Sequence, residues 1–315
     1  MQAPLFETEG NPIPEGVSAH YLQAFARKSM RYALLPCSEP VKKGTVIILH
    51  GRNECIEKYF ETMMDLNKRG FDTATFDWLG QGGSARLLND PVRGHIDSFD
   101  QYVAQFNQFF EQVALPDCRG PFFVLAHSTG SLIALQATPI MTNRVQRMVL
   151  CAPLLGLANQ PFSHQNIRRL SSFLKLLGLG NKYMGGGPRP RETMPFAGNH
   201  LTSDERRYKR NAMMYKVHPE LALGSPTVNW VNASCRTMDM LQTPQFKATV
   251  QIPTLIIAAG ADHIVSNRAI EKFIKGMRST ALVTIDGAKH EILQEADFYR
   301  DQALAAFDAF VPGSD

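Results

Sequence analysis

The sequence predicts an α/β fold with a mostly parallel central sheet, helices on both faces and one inserted segment. Short apolar runs rich in β-branched and aromatic residues alternate with longer stretches of helical spacing, the form taken by parallel strands buried on both faces. The 315 residues are 44% hydrophobic and 20% charged, enough apolar material for one large core and too much for a disordered chain. The alternation fails between residues 157 and 236 and then resumes, and neither flank looks complete alone. An insertion therefore accounts for the chain better than two separate domains. The expected division is a first core part over 1–156, an inserted segment over 157–236 and a second core part over 237–315.

In chain order, 20–35 is expected to form an antiparallel hairpin at the sheet edge. Strands are expected at 45–49, 72–76, 122–126, 146–151, 254–259 and 282–285, each apolar or nearly so along its length. Between them, 57–68 has helical spacing through Tyr59, Phe60, Met63, Met64 and Leu66, 99–113 repeats that spacing, and 304–310 reads as a closing helix. The inserted segment holds Ser/Leu-rich helical pieces and the breaker Gly185-Gly186-Gly187-Pro188, without a core strand.

Cys37, Cys55, Cys118, Cys151 and Cys235 are odd in number and form no CxxC pair, which argues against a disulfide framework or a structural zinc site. The amino terminus has no basic stretch leading into an apolar run, so a secretory signal is not expected. The longest apolar stretches, 121–126 and 255–259, fall short of the roughly 20 residues that span a bilayer. A cytoplasmic protein in a reducing compartment is expected.

The strongest chemical signal is Phe122-Phe123-Val124-Leu125-Ala126-His127-Ser128-Thr129-Gly130-Ser131-Leu132. An apolar strand runs into small-x-Ser-x-small and then into a helical pattern, the nucleophile elbow, in which a sharp turn presents the serine above the sheet. Ala126 departs from the usual G-x-S-x-G by one methyl group. The plain alternative is a serine that caps a helix. A serine hydroxyl is a weak nucleophile at neutral pH and needs a base, which in turn needs an orienting acid. Two later strands lead into Gly260-Ala261-Asp262-His263 and Asp286-Gly287-Ala288-Lys289-His290, giving the order Ser128, Asp262, His290. Asp239 and Asp286 are rival acids, Asp286 disfavoured by its closeness to His290 in sequence. Acyl transfer also needs donors for an oxyanion. The backbone N–H of Thr129 and that of Arg52, in His50-Gly51-Arg52-Asn53-Glu54 after the first central strand, are the candidates.

Together His50-Gly51-Arg52-Asn53-Glu54, the run from Phe76 to Ser84, Ala126-His127-Ser128-Thr129-Gly130, the run from Ala258 to Val265 and the run from Gly287 to Leu293 resemble the lysophospholipase and monoacylglycerol lipase branch of the α/β-hydrolase superfamily, the group also filed with serine aminopeptidases. The resemblance covers about 45–310. It implies the α/β-hydrolase fold, the triad named above and a helical cap formed by 157–236. Within the insertion, Leu201-Thr202-Ser203-Asp204 and the run from Gly224 to Trp230 are similar to segments of bacterial lysophospholipase-like members.

The formal charge of +4 is small for a nucleic-acid binder, and no such partner is expected. It divides unevenly: 157–236 holds twelve basic and four acidic residues, a net +8, which leaves −4 for the remainder. The amphipathic stretch 167–177, with Arg168, Arg169 and Lys175 among Phe and Leu, suits contact with an anionic membrane surface from the cytoplasmic side. Its alternative is an apolar face closed over an acyl pocket. The expected function is a serine hydrolase for a lipid-like carboxylic ester, with no metal and no organic cofactor. An Asp at the elbow would suit dehalogenase or epoxide-hydrolase chemistry, and Ser128 speaks against both. Peptidase, lactonase, thioesterase and cofactor-free haloperoxidase activities share the serine triad, and a hydrolase-like binding protein is the alternative from another class.

Overall fold

The expected apolar runs pair into one sheet in the computed structural model, which describes residues 1–24, 27–189 and 195–312. Among these residues the sheet has eight strands: β1 (Ser18–Gln23), β2 (Ser29–Leu35), β3 (Gly44–Leu49), β4 (Phe71–Phe76), β5 (Phe122–His127), β6 (Arg147–Cys151), β7 (Thr254–Ala259) and β8 (Thr280–Ile285). Their spatial order is β1-β2-β4-β3-β5-β6-β7-β8. β1 pairs antiparallel with β2, and β2 with β4, so the expected hairpin forms the edge; every other neighbouring pair is parallel. β3, β5 and β7 are buried along their whole length, as their unbroken apolar sequences require, while edge strand β8 is exposed or only partly covered up to its last residue, the buried Ile285.

The helices are α1 (Phe60–Lys68), α2 (Phe99–Phe109, continued by a π turn over Phe110–Ala114), α3 (Thr129–Met141), α4 (His164–Leu176), α5 (Glu205–Val217), α6 (Val228–Leu241), α7 (Asn267–Ile274) and α8 (Asp297–Phe310). Short polar side chains start most of them. Ser98, Ser163, Asp204, Thr227 and Ser266 each accept a hydrogen bond from a first-turn N–H of α2, α4, α5, α6 and α7. α8 begins seven residues before the expected 304, because its first two turns bury few side chains, Arg300 and Ala303 among them, and so lack a clear apolar period.

The expected boundary of the insertion at Arg236 falls inside α6. Trp230, Val231, Cys235, Met238 and Leu241 of this helix join the main core, and Trp230 meets Phe99 of α2 at 5.5 Å between ring centres. No breaker interrupts the helical pattern until Thr243-Pro244. The carboxyl ends of the parallel strands β3, β5, β7 and β8 share one edge, where the loops carrying residues 50–54, 128, 260–265 and 286–291 converge.

Candidate active site

Ser128 links β5 directly to α3 with φ 52° and ψ −113°, a left-handed backbone that costs a non-glycine residue about 1–3 kcal/mol. The turn is pinned on both sides: the Ser128 N–H donates to the Cys151 carbonyl at 3.0 Å, and the Leu154 N–H donates to the Ser128 carbonyl at 3.1 Å. Two residues on, Gly130 lies against β3 so closely that a Cβ there would stand 2.1 Å from the Leu49 carbonyl oxygen. Ala126, two residues before, is buried in the strand and paired in register with Leu49 of β3 and Leu150 of β6.

The loops after β7 and β8 are tied together by the Ala261 N–H, which donates to the Ala288 carbonyl at 2.9 Å. They bring Asp262 and His290 to Ser128: His290 Nδ1 is 2.8 Å from Asp262 Oδ2, and His290 Nε2 is 3.0 Å from Ser128 Oγ. Asp262 Oδ1 accepts from the Ile264 and Val265 N–H groups at 2.7 and 2.9 Å, which leaves Oδ2 for the imidazole. Burial alone would raise the Asp262 pKa, but the hydrogen bond and charge of His290 and these two N–H groups lower it. The rival acids lie elsewhere. Asp239 binds His164 and Arg168 at 2.8 and 2.6 Å, and Asp286 is exposed on the loop after β8.

Thr129, the other expected backbone donor, is the first residue of α3, where first-turn N–H groups have no partner within the helix. Arg52 lines the same cavity from the loop after β3. Its guanidinium donates to the Gly224 carbonyl and lies 5.6 Å from the Trp230 ring centre, so the loop is fastened to the inserted segment. The cavity in front of Ser128 measures about 1370 Å³. Leu154, Leu157, Ile167, Leu170, Leu174 and Val231 form an apolar wall, whereas Arg52, His200, His263 and Glu291 supply polar groups. α4 thus turns Ile167, Leu170 and Leu174, spaced i, i+3 and i+7, toward the cavity.

Sequence reasoning missed the buried polar layer beside Ser128 and His290, formed by Glu54, Lys58, Tyr59, His127 and Glu291. Glu54 and Lys58 do stand at i, i+4, and His127 adjoins Ser128, but the Lys58–Glu291 contact at 2.6 Å joins residues 233 apart in the chain.

The family model described as serine aminopeptidase, S33, matches residues 40–297. The chain is 30% identical over 302 residues to a probable lysophospholipase L2 of Haemophilus influenzae, covering 95% of this chain and 94% of that protein. It is 34% identical over 277 residues to lysophospholipase L2 of Escherichia coli (strain K12), covering 84% and 79%. Among solved structures, a soluble variant of monoglyceride lipase from Saccharomyces cerevisiae in complex with a substrate analog superposes with a TM-score of 0.77 at 17% identity, covering 99% of this chain and all of that one. That likeness carries the fold, and its mostly parallel sheet is the one described above. With the family model matching residues 40–297, which hold six of the eight strands, and a relative 30% identical over 95% of the chain, the chain belongs to the serine aminopeptidase S33 family of α/β-hydrolases.

Proposed function

We propose that this protein is a serine hydrolase that cleaves the carboxylic ester of a single-chain lipid, a lysophospholipid or a monoacylglycerol, through an acyl-enzyme. The observation that carries the reading is the continuous Ser128–His290–Asp262 chain of 3.0 and 2.8 Å contacts opening on an apolar-walled cavity large enough for an acyl chain. The relatives named as lysophospholipases support the substrate class.

In this reading Ser128 Oγ attacks the ester carbonyl while His290 Nε2 takes its proton. Asp262, hydrogen-bonded at Nδ1, holds the tautomer that leaves Nε2 free to accept and stabilises the imidazolium. The N–H groups of Thr129 and Arg52 hold the developing oxyanion. His290 then protonates the leaving alcohol, and a water activated by the same imidazole hydrolyses the acyl-enzyme. Ser128→Ala should abolish fluorophosphonate labelling and lower ester turnover by roughly 10³-fold or more. Labelling that survives this change would overturn the assignment. A hydrolysis panel of lysophosphatidyl lipids, monoacylglycerols, short p-nitrophenyl esters and aminoacyl amides, with Ser128→Ala as blank, ranks the substrates. Faster turnover of the amides would move the reading to a peptidase.

The segment 157–236 is read as a cap over the site, since α4 lines the cavity and Arg52 is fastened to Gly224. A peripheral contact with an anionic membrane surface on the cytoplasmic side is part of the proposal. It is supported by Phe173, Leu176 and Leu177, which are exposed on the outer side of α4 and just beyond its end, beside Arg169 and Lys175.

A further inference from the structure

The hydrolytic steps above leave the buried polar layer without a role. Glu54, after β3, and Glu291, directly after His290, converge on Lys58 Nζ at 3.0 and 2.6 Å. Glu54 also accepts from the Tyr59 hydroxyl at 2.8 Å and from the Gly51 N–H. His127 completes the group, with Nδ1 3.1 Å from a Glu54 oxygen and Nε2 3.1 Å from the His290 carbonyl oxygen.

Proton counting fixes the state of His127. A backbone carbonyl has only lone pairs to offer, so the contact at Nε2 requires an N–H there. An ionised carboxylate offers only lone pairs as well, so the contact at Nδ1 requires a second. A neutral imidazole carries one such hydrogen and an imidazolium carries two. The charges agree: two carboxylates and Lys58 sum to −1, and an imidazolium brings this buried group to neutrality. Burial opposes the cation, but Glu54 and then Glu291 outweigh it and raise the His127 pKa, with Lys58 acting against them. Burial likewise opposes the Glu54 charge, and Lys58 followed by His127 hold that carboxyl well below its usual range.

We propose that His127 is an imidazolium and serves as a positioning residue for the base: its Nδ1–H is held by the Glu54 carboxylate, and its Nε2–H holds the His290 backbone carbonyl. The two ring centres are 4.8 Å apart, and Asp262 lies 2.8 Å from Nδ1 of His290, so the backbone of His290 and its ring are each held by a separate partner. The remaining titratable neighbours do not supply this charge. Burial pushes the Cys151 thiol, opposite His127 on β6, up to about 12, and burial followed by Glu54 raises the Tyr59 phenol. His50 faces away, between the Gly51 carbonyl at 2.9 Å and Asp77 at 3.3 Å.

The role assigned to His290 rests on the proposed function; the protonation of His127 does not. The test is therefore spectroscopic first. In long-range ¹H–¹⁵N spectra of the ¹⁵N-histidine-labelled wild-type chain, both His127 ring nitrogens should show protonated shifts at pH 7, assigned by their loss in His127→Gln. A ring with one bare nitrogen at pH 7 would overturn the proposal. His127→Gln keeps a donor for the His290 carbonyl and His127→Leu removes it, so fluorophosphonate labelling of Ser128 should be about tenfold slower in the Leu variant than in the Gln variant. Equal labelling rates in the two variants would refute the positioning role whether or not esters prove to be substrates, and the wild-type spectra decide the protonation state even where a variant folds poorly.

Discussion

At Ser128 a strained backbone is held by its surroundings, and the tightest of these is the contact between Gly130 and β3. A Cβ on residue 130 would meet the Leu49 carbonyl oxygen at 2.1 Å, a backbone atom that cannot rotate away. Gly130→Ala should therefore cost about 3 kcal/mol or more in urea unfolding, or displace α3 enough to slow fluorophosphonate labelling of Ser128. A variant with wild-type midpoint and labelling rate would show that the elbow has slack. Ala126→Gly on the other side removes only a methyl group and should lower stability by about 1 kcal/mol while leaving labelling intact. The same contrast explains what was legible at this scale. Ser128, Asp262 and His290 are legible because each follows a strand end in a fixed chain order, and the structure brings the three side chains into contact. The pairs Lys58–Glu291 and His127–Glu54 have no local pattern: each side chain alone reads as a solvated charge, and burial and pairing arise when distant loops meet.

Between elements, the Arg207 guanidinium ties α5 to both α1 and α8. Arg207, 3% exposed at its side chain, meets Glu61 of α1 at 2.6 Å, Asp204 at 2.9 Å and Asp297 at the start of α8 at 2.7 Å, and also donates to the Glu295 carbonyl. Arg210 reaches the second oxygen of Glu61 at 2.6 Å. Removing Arg207 leaves Glu61 partly buried and less well paired, so Arg207→Met should lower stability by about 3 kcal/mol in denaturant titrations. The clasp also has a pH signature. Burial alone would raise Glu61, yet its hydrogen bonds to Arg207 and Arg210 bring its pKa down to about 2, below the roughly 4.3 of an unfolded glutamate. A carboxyl depressed on folding contributes its stability in full above the unfolded value and loses it as pH falls through the folded one. Tm should then decline between about pH 4 and pH 2, and Glu61→Gln should flatten that decline while lowering Tm at pH 7. An identical slope in the variant would assign acid lability to other groups, Asp77 first, whose buried carboxyl is also held down to about 2, against its burial, by Arg31 and His50. Strands were the elements most legible in the sequence, because burial on both faces leaves an unbroken apolar run. α5 and the first turns of α8 were not, since Arg207 and Asn211 interrupt the buried face of α5, where Tyr208, Met214 and Tyr215 also pack, and Arg300 interrupts that of α8.

For the whole molecule, the uneven charge of +8 against −4 has to be divided again once the structure is known. Arg207 and Arg210 are spent on Glu61, and Arg168 on Asp239 at 2.6 Å, so these cations of the inserted segment face carboxylates within the protein. Arg169, Lys175 and Lys182 are exposed, and they accompany an apolar surface made of Phe173, 57% exposed, Leu176, 84% exposed, and Leu177. α4 has two apolar faces: Ile167, Leu170 and Leu174 line the cavity, while Phe173 and Leu176 are exposed. No helix among the described residues is long and apolar enough to cross a membrane, so contact through this face would be peripheral. A substrate held in a bilayer would then enter beside α4. Sedimentation with vesicles should rise with their content of anionic lipid and fall between low and high salt, because exposed charges are screened beyond about 10 Å at 0.1 M ionic strength. Arg169→Glu with Lys175→Glu should weaken binding to anionic vesicles by at least about tenfold, at roughly 1 kcal/mol for each basic residue near the surface, and have little effect on neutral ones. Phe173→Asp with Leu176→Asp should weaken both, since it removes the apolar contact that acts regardless of headgroup charge. Turnover of a dissolved short ester serves as the fold control for each variant. Sedimentation that ignores lipid charge, salt and both pairs of substitutions would return this face to ordinary solvent-exposed surface and leave substrate entry independent of a membrane.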